Sequence, residues 1–208
     1  MRTIRAMTSP IRHLRAPLLA AAAAVTLSAC VSLGGGKTPP FLLTLDADAA
    51  PAAGESRTAG DTATLTILIP TAPQKLRTPR IPVQQDGASV AYVQDAQWVE
   101  APQRLFQRLI SETVAARTSR VVLDEGQYLT SPGEQLAGQL MEFGVDAQTG
   151  EAVVVYQAML VSSRGKSVTQ HRFEAREPVG AIEAKPVGEA LTRAANKVAA
   201  DVAAWLAN

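Results

Sequence analysis

The side chain in this sequence with the most distinctive chemistry is Cys30, the one cysteine in 208 residues. As a thiolate it is nucleophilic enough to form a thioether. It closes the tetrapeptide Leu27-Ser28-Ala29-Cys30, in which small residues at Ser28 and Ala29 let an enzyme approach the backbone closely. A single cysteine closes no disulfide within its own chain, so a domain that follows it must be held by packing.

The residues before Cys30 give that thiol a context. Arg2, Arg5, Arg12 and Arg15 precede a short run rich in Ala and Leu from Ala16 to Thr26. A basic start, a short apolar stretch and small residues at the end are the pattern of a secretory signal. Ala16 to Ala29 is fourteen residues, whereas a membrane-spanning helix needs about 20. The tetrapeptide resembles the bacterial lipobox. That resemblance implies recognition of Leu27, Ser28 and Ala29, transfer of a diacylglycerol to Cys30, removal of residues 1–29 and acylation of the new amino terminus. The competing reading is an ordinary signal whose cysteine is incidental.

Cleavage at Cys30 leaves 179 of the 208 residues, enough for one domain with its own core. The leader carries four of the twenty basic residues and none of the nineteen acidic ones, so the mature chain has sixteen against nineteen, a net charge of −3. A slightly acidic body without a basic cluster gives no footprint for nucleic acid. Beyond the leader no segment has the length or continuous apolarity of a span.

Few other side chains offer chemistry. Loss of the leader removes His13 and leaves His171 as the one imidazole, between Gln170 and Arg172, with no Gly-x-Ser-x-Gly elbow. It reads as an exposed histidine on an edge strand. Zinc needs clustered Cys and His, which the mature chain lacks, so neither a metal nor a cofactor is expected. Gly34-Gly35-Gly36-Lys37 lacks the spacing of a phosphate-binding loop and reads as a linker. Asp124, Glu125, Glu174 and Glu177 are acidic, but no pattern brings two of them into a shared apolar pocket. Tyr92 and Trp98 are the candidate partner contacts, since large aromatics anchor interfaces; alternatively both belong to the core.

These residues need elements to position them. Residues 30–40 read as a lipidated tether, Gly-rich and then Pro-stiffened. Residues 41–208 form the expected domain. Its first strand is Phe41 to Leu45, followed by an Ala-, Pro- and Gly-rich loop from Asp46 to Asp61 that suggests a mobile segment. Thr64 to Ile69 is β-branched and reads as a strand. Pro73, Pro79 and Pro82 predict an edge or an irregular crossover around Arg80-Ile81-Pro82-Val83. Ser89 to Gln94 alternates as a strand. Pro102 opens an amphipathic helix through Leu105, Phe106, Leu109, Ile110, Thr113 and Val114. Arg120 to Asp124 reads as a strand, and Gly126 to Gly133 as a loop. A meander follows: Leu136 to Val145, a turn at Asp146 to Gly150, Ala152 to Val161, a turn at Arg164-Gly165, and the edge strand Val168 to Arg176. Pro186 opens the last helix, whose buried stripe runs from Val187 to Trp205 and Leu206. The fold class is α+β: a two-layer sandwich, a mostly antiparallel sheet with two amphipathic helices on one face.

Several pieces now stand in a recognisable order. The lipobox-like cysteine, the short apolar strand, Ile69-Pro70, Pro79-Arg80-Ile81-Pro82-Val83, the Tyr92 strand and Trp98-Val99-Glu100-Ala101-Pro102 leading into a Leu-rich helix are similar to the ABC-type transport auxiliary lipoprotein family. The similarity covers nearly all of the mature chain. It departs from the family at Phe41, where an aromatic pair is common, and at Gln84-Gln85, where an Arg is common. The resemblance implies a protein that does no chemistry of its own. Cys30 would moor it by acyl chains to the periplasmic face of the outer membrane, where it would dock the periplasmic MCE-domain protein of a lipid transporter. The alternative is a structural or assembly lipoprotein of another outer-membrane complex.

Overall fold

The structure, a computed structural model, describes residues 39–58, 64–125 and 133–207. The expected leader, Leu27-Ser28-Ala29-Cys30, the expected tether through Thr38 and most of the expected 126–133 loop lie outside the described residues. Residues 39–208 form one compact unit. Its elements are β1 (Thr64–Ile67), β2 (Arg80–Gln84), β3 (Val90–Gln97), α1 (Pro102–Arg117), β4 (Val121–Asp124), β5 (Glu134–Asp146), β6 (Glu151–Val161), β7 (Val168–Pro178) and α2 (Ala184–Ala207).

The expected meander forms the spine of the sheet. β5 and β6 pair antiparallel from Gln135↔Val161 to Asp146↔Glu151, and β6 and β7 from Glu151↔Pro178 to Val161↔Val168. The other side of β5 departs from the expected antiparallel arrangement. β1 and β2 lie one after the other along that edge, and both run parallel to β5, with an isolated bridge from Thr71 to Gln139 between them. β4 returns parallel to β1, after the chain has crossed over through α1. The sheet is therefore mixed. A helical crossover brings the chain back in the same direction, whereas hairpins alternate it.

The segment expected as an edge or a crossover is instead the strand β2, flanked by β3 and β5, and only its irregularity at Pro82 matches the expectation. β2 meets β5 only through Val83 and Gln84, and its register with β3 shifts between Arg80 and Pro82. The absent Pro82 N–H therefore breaks no ladder bond to β5. On the opposing strand Asp95 takes a left-handed conformation, φ 49°, and accommodates the extra β3 residues as a bulge does.

Phe41–Leu45 contributes a single residue pair instead of a full strand. Leu43 bridges Trp98 in parallel fashion, donating to the Gln97 carbonyl at 2.8 Å and accepting from the Val99 N–H at 2.9 Å. The following loop has no regular structure through Thr58, yet it is pinned at two places. Buried Asn196 accepts the Asp48 N–H at 2.8 Å and donates to the Asp46 carbonyl at 2.9 Å. Arg57 donates to the Ala115 and Thr118 carbonyls, at 2.5 and 2.7 Å, at the C-terminal end of α1. Those carbonyls are helix-end groups without an intrahelical partner.

Both helices lie on one face. Phe106 of α1 packs edge-on against Tyr156 of β6 at 5.3 Å between ring centroids, and Trp205 of α2 meets Phe173 of β7 at 5.8 Å; Tyr156 and Phe173 are directly paired across the sheet. The α1 stripe of Leu105, Phe106, Leu109, Ile110 and Val114 is buried, as are Val187, Leu191, Val198, Val202 and Leu206 of α2. Burial of each large apolar side chain stabilises by about 1.5–3 kcal/mol, so these two stripes seat the helix layer. Trp205, expected within the stripe, is half-buried at its rim.

Candidate functional site

The face of the sheet turned away from α1 and α2 is covered by neither, yet its central side chains are not bare. Val155 is 2% exposed and Val153 7%. Their neighbours explain this. Val153 stands opposite Arg176 and Val155 opposite Glu174, while Glu142 faces Val155 from β5. Long charged side chains lay their stems over the two valines and keep their heads in water.

The heads are tied together. Arg176 binds Glu174 at 2.9 Å and reaches Glu151 at 3.4 Å and Asp146 at 3.8 Å. Arg172 contacts Glu174 at 3.5 Å and sets a guanidinium nitrogen 3.3 Å from the Met141 sulfur. The hydrogen bond from Arg176 holds the Glu174 carboxyl below its ordinary range, against a smaller opposing effect of burial. The same bond raises the Arg176 guanidinium.

Beside this lattice lies a half-open cleft of about 450 Å³, lined among others by Lys75, Pro82, Gly144, Asp146, Val153 and Arg176. Lys75 and Glu142 pair across one wall at 2.6 Å. Gly144 shapes its floor, because a Cβ there would lie 2.4 Å from the Pro82 carbonyl oxygen. The cleft thus has an apolar floor and walls of both charges, the surface of a polar docking site more than of a reaction centre.

Tyr92 borders this face. It pairs with Pro82 across β2 and β3, is partly exposed, and holds the Arg80 guanidinium 3.8 Å above its ring. This is a cation–π contact, which keeps both groups oriented at the surface. Trp98, the other candidate partner contact, is 1% exposed. Its indole packs edge-on against Phe143 at 5.6 Å, and Phe143 continues to Phe106 at 6.3 Å. Trp98 therefore belongs to the core and is out of reach of a partner on the folded surface. Its Nε1 is buried without a hydrogen-bond partner.

The groups considered for catalysis stand apart. His171 is exposed on the helix side of β7, 4.5 Å from Phe173 and 5.9 Å from Trp205 between ring centroids. Asp124 accepts from Gln107 at 2.9 Å, Glu125 from the Ile69 N–H at 3.0 Å, and Glu177 from Arg193 at 3.5 Å. Each holds a different piece of chain. Among the described residues no three His, Cys, Asp or Glu side chains group as metal ligands, and no helix is long and apolar enough to cross a membrane. Burial pushes the Tyr156 hydroxyl well above its ordinary value, and it donates to the Ala137 carbonyl at 3.0 Å.

Two polar anchors were not singled out in the sequence. Asn196 sits among alanines on the buried side of α2, and a lone amide in such a stripe is the signal that could have marked it. Arg120 pairs with Glu134 and donates to the Leu206 carbonyl at 3.3 Å, joining the start of β4 to β5 and to the end of α2. Nothing local distinguishes either charge.

This architecture recurs in solved structures. Protein XCC0632 from Xanthomonas campestris, of the DUF330 family, superposes with a TM-score of 0.65 at 17% identity, covering 80% of this chain and 95% of its own. An uncharacterized protein superposes at 0.60 with 12% identity, covering 70% and 93%. No curated protein matches the chain. The family model of the ABC-type transport auxiliary lipoprotein component matches residues 43–203, and the chain belongs to that family. It is thus an auxiliary lipoprotein component of an ABC-type transport system.

Proposed function

We propose that the protein is the acylated, periplasmic auxiliary component of an MCE-type ABC lipid transporter, docking the MCE-domain protein near the outer membrane. The carrying observation is the family match over residues 43–203, which begins shortly after the lipobox-like Leu27-Ser28-Ala29-Cys30. In this reading residues 1–29 are the removed leader, 30–40 the lipidated tether and 41–208 the docking domain.

Acylation at Cys30 accounts for the mooring. One myristoyl-sized chain holds only marginally, but about 0.8 kcal/mol per buried CH₂ makes two or three chains effectively permanent. Ser32 occupies the second position after the cysteine, where an Asp would signal retention at the inner membrane. The role is non-enzymatic, as the separate structural duties of His171 and the carboxylates favour. Tyr92, clamped with Arg80 beside the charged cleft, has the exposure a partner contact needs.

Two measurements on the native chain test this. Mass spectrometry of the amino terminus should find Cys30 carrying diacylglycerol and an amide-linked acyl chain, and Cys30→Ser should release the protein from membranes. Affinity purification should recover an MCE-domain protein. Recovery of an outer-membrane barrel or secretin in its place would reject the transport role in favour of an assembly lipoprotein.

A further inference from the structure

We infer that the end of the domain formed by Phe41, Leu42 and Val99 lies against the bilayer, with these side chains in the boundary between headgroups and acyl chains. The inference rests on acylation of Cys30. Large apolar side chains are exposed here: Phe41 48%, Leu42 49% and Val99 45%. Two of them share one face, diagonally placed across a parallel bridge. Leu43 and Trp98 form the bridge, with Trp98 buried and Leu43 partly so. Leu42 and Val99, each one residue removed, stand on the other, outward side of that extended pair.

The occupant follows from where the chain leads. Eight residues lie between Cys30 and Pro39, so the two are nine residue steps apart, a reach of at most about 32 Å even when fully extended. Pro39 to Leu42 are thus the first described residues after the anchor, and no other part of the domain is tied as closely to the membrane. Lys185 and Arg193 line the shallow cleft shared with Leu42, together with Glu189, and Arg193 also contacts Glu177 at 3.5 Å. Apolar side chains bordered by lysine and arginine stems suit a headgroup boundary.

The test uses the full acylated chain in vesicles of phosphatidylethanolamine and phosphatidylglycerol. With Cys30 blocked by its thioether, Leu42→Cys and Val99→Cys each supply one thiol for an environment-sensitive fluorophore. Val168→Cys, on the exposed β7 edge at the far side of the sheet, is the control. Emission at 42 and 99 should shift to the blue on reconstitution and be quenched by lipids with a shallow spin label, while 168 stays aqueous. The double change Phe41→Ser, Leu42→Ser should abolish the shift at 99 and leave the acyl mass intact. Acylated protein whose 42 and 99 probes remain aqueous overturns this inference alone. A chain without acyl mass that stays in solution overturns the anchor reading, and this inference with it. Equal shifts at all three positions would mean undirected adsorption and would also overturn it.

Discussion

Asn196 offers the sharpest test of how the domain is held together, because one buried amide fastens a loop 150 residues away in sequence. The side chain is 6% exposed. It donates to the Asp46 carbonyl at 2.9 Å and to the Thr192 carbonyl at 3.1 Å, and accepts the Asp48 N–H at 2.8 Å. Thr192 lies one helical turn back, so its carbonyl keeps the ordinary i→i−4 bond of the helix. Asn196→Ala therefore strands two groups, the Asp46 carbonyl and the Asp48 N–H. A polar group left without a partner costs about 1–3 kcal/mol, and the lower end, about 1–1.5 kcal/mol for each, applies because both residues lie at the surface within reach of water. The expected loss is about 2–3 kcal/mol. In urea the midpoint should fall with an unchanged m-value, and Tm should drop by roughly 4–12 °C for a domain of this size. Hydrogen exchange reads the local effect: the Asp48 amide should lose its protection while amides in β5 and β6 follow global stability. Asn196→Asp separates the roles of the two ends of the amide. Its carboxylate still accepts from Asp48 but faces two carbonyls, which raises its pKa above the usual value near 3.9. The folded state then binds more protons than the unfolded one, so this variant should lose stability as pH rises from about 4 towards neutral. A cost below about 0.5 kcal/mol for Asn196→Ala, with Asp48 still protected, would refute the claim that this amide pins the loop.

Further outcomes follow from single residues. Trp98→Ala should cost about 3–5 kcal/mol in chemical denaturation. Trp98→Phe should cost much less, since it also removes a buried N–H without a partner; similar losses for both would contradict the placement of the indole. Asp95→Gly should be neutral or stabilising, whereas Asp95→Val should lose about 1–2 kcal/mol, because φ 49° is strained for a β-branched residue. Gly144→Ala should lose about 1–3 kcal/mol by forcing β2 away from β5, visible as faster exchange of the β2 amides. Glu174→Gln probes the charged lattice. The Glu174 carboxyl is lowered by its bond from Arg176, so its contribution is complete above the unfolded value near 4.3 and disappears as pH falls through the folded one. The side chain is 37% exposed, which limits the difference from wild type to about 0.2–1 kcal/mol, weakened by salt. A difference that grows below pH 4 would have the wrong sign.

Local patterns made much of this fold legible. Pro102 at the start of α1 and the 3.6-residue spacing of Leu105, Leu109 and Ile110 specify an amphipathic helix without reference to the rest of the chain. The β5–β6–β7 meander was equally readable, because turn residues at Asp146–Gly150 and Arg164–Gly165 set neighbouring strands antiparallel. Other features needed the whole molecule. Phe41–Leu45 has the composition of a strand but finds only Trp98 as a partner, and a composition cannot reveal how much free edge awaits it. The Asp46–Thr58 segment looks mobile in one dimension, since neither Asn196 nor the end of α1 is nearby in sequence. Tyr92 and Trp98 were indistinguishable as candidate contacts. The bulge around Asp95 and the bridge at Leu43 placed one at the surface and the other in the core.

By itself the sequence determined what depends on near neighbours: the two helices, the hairpins and the family resemblance through Trp98-Val99-Glu100-Ala101-Pro102. Tertiary structure alone decided the parallel placement of β1 and β2 along one edge of β5, the burial of Trp98, and the charged lattice over Val153 and Val155. The physical reason is range. Helical periodicity and turn chemistry act over a few residues, whereas strand order, burial and charge pairing are set by which distant segments compete for the same edge or surface.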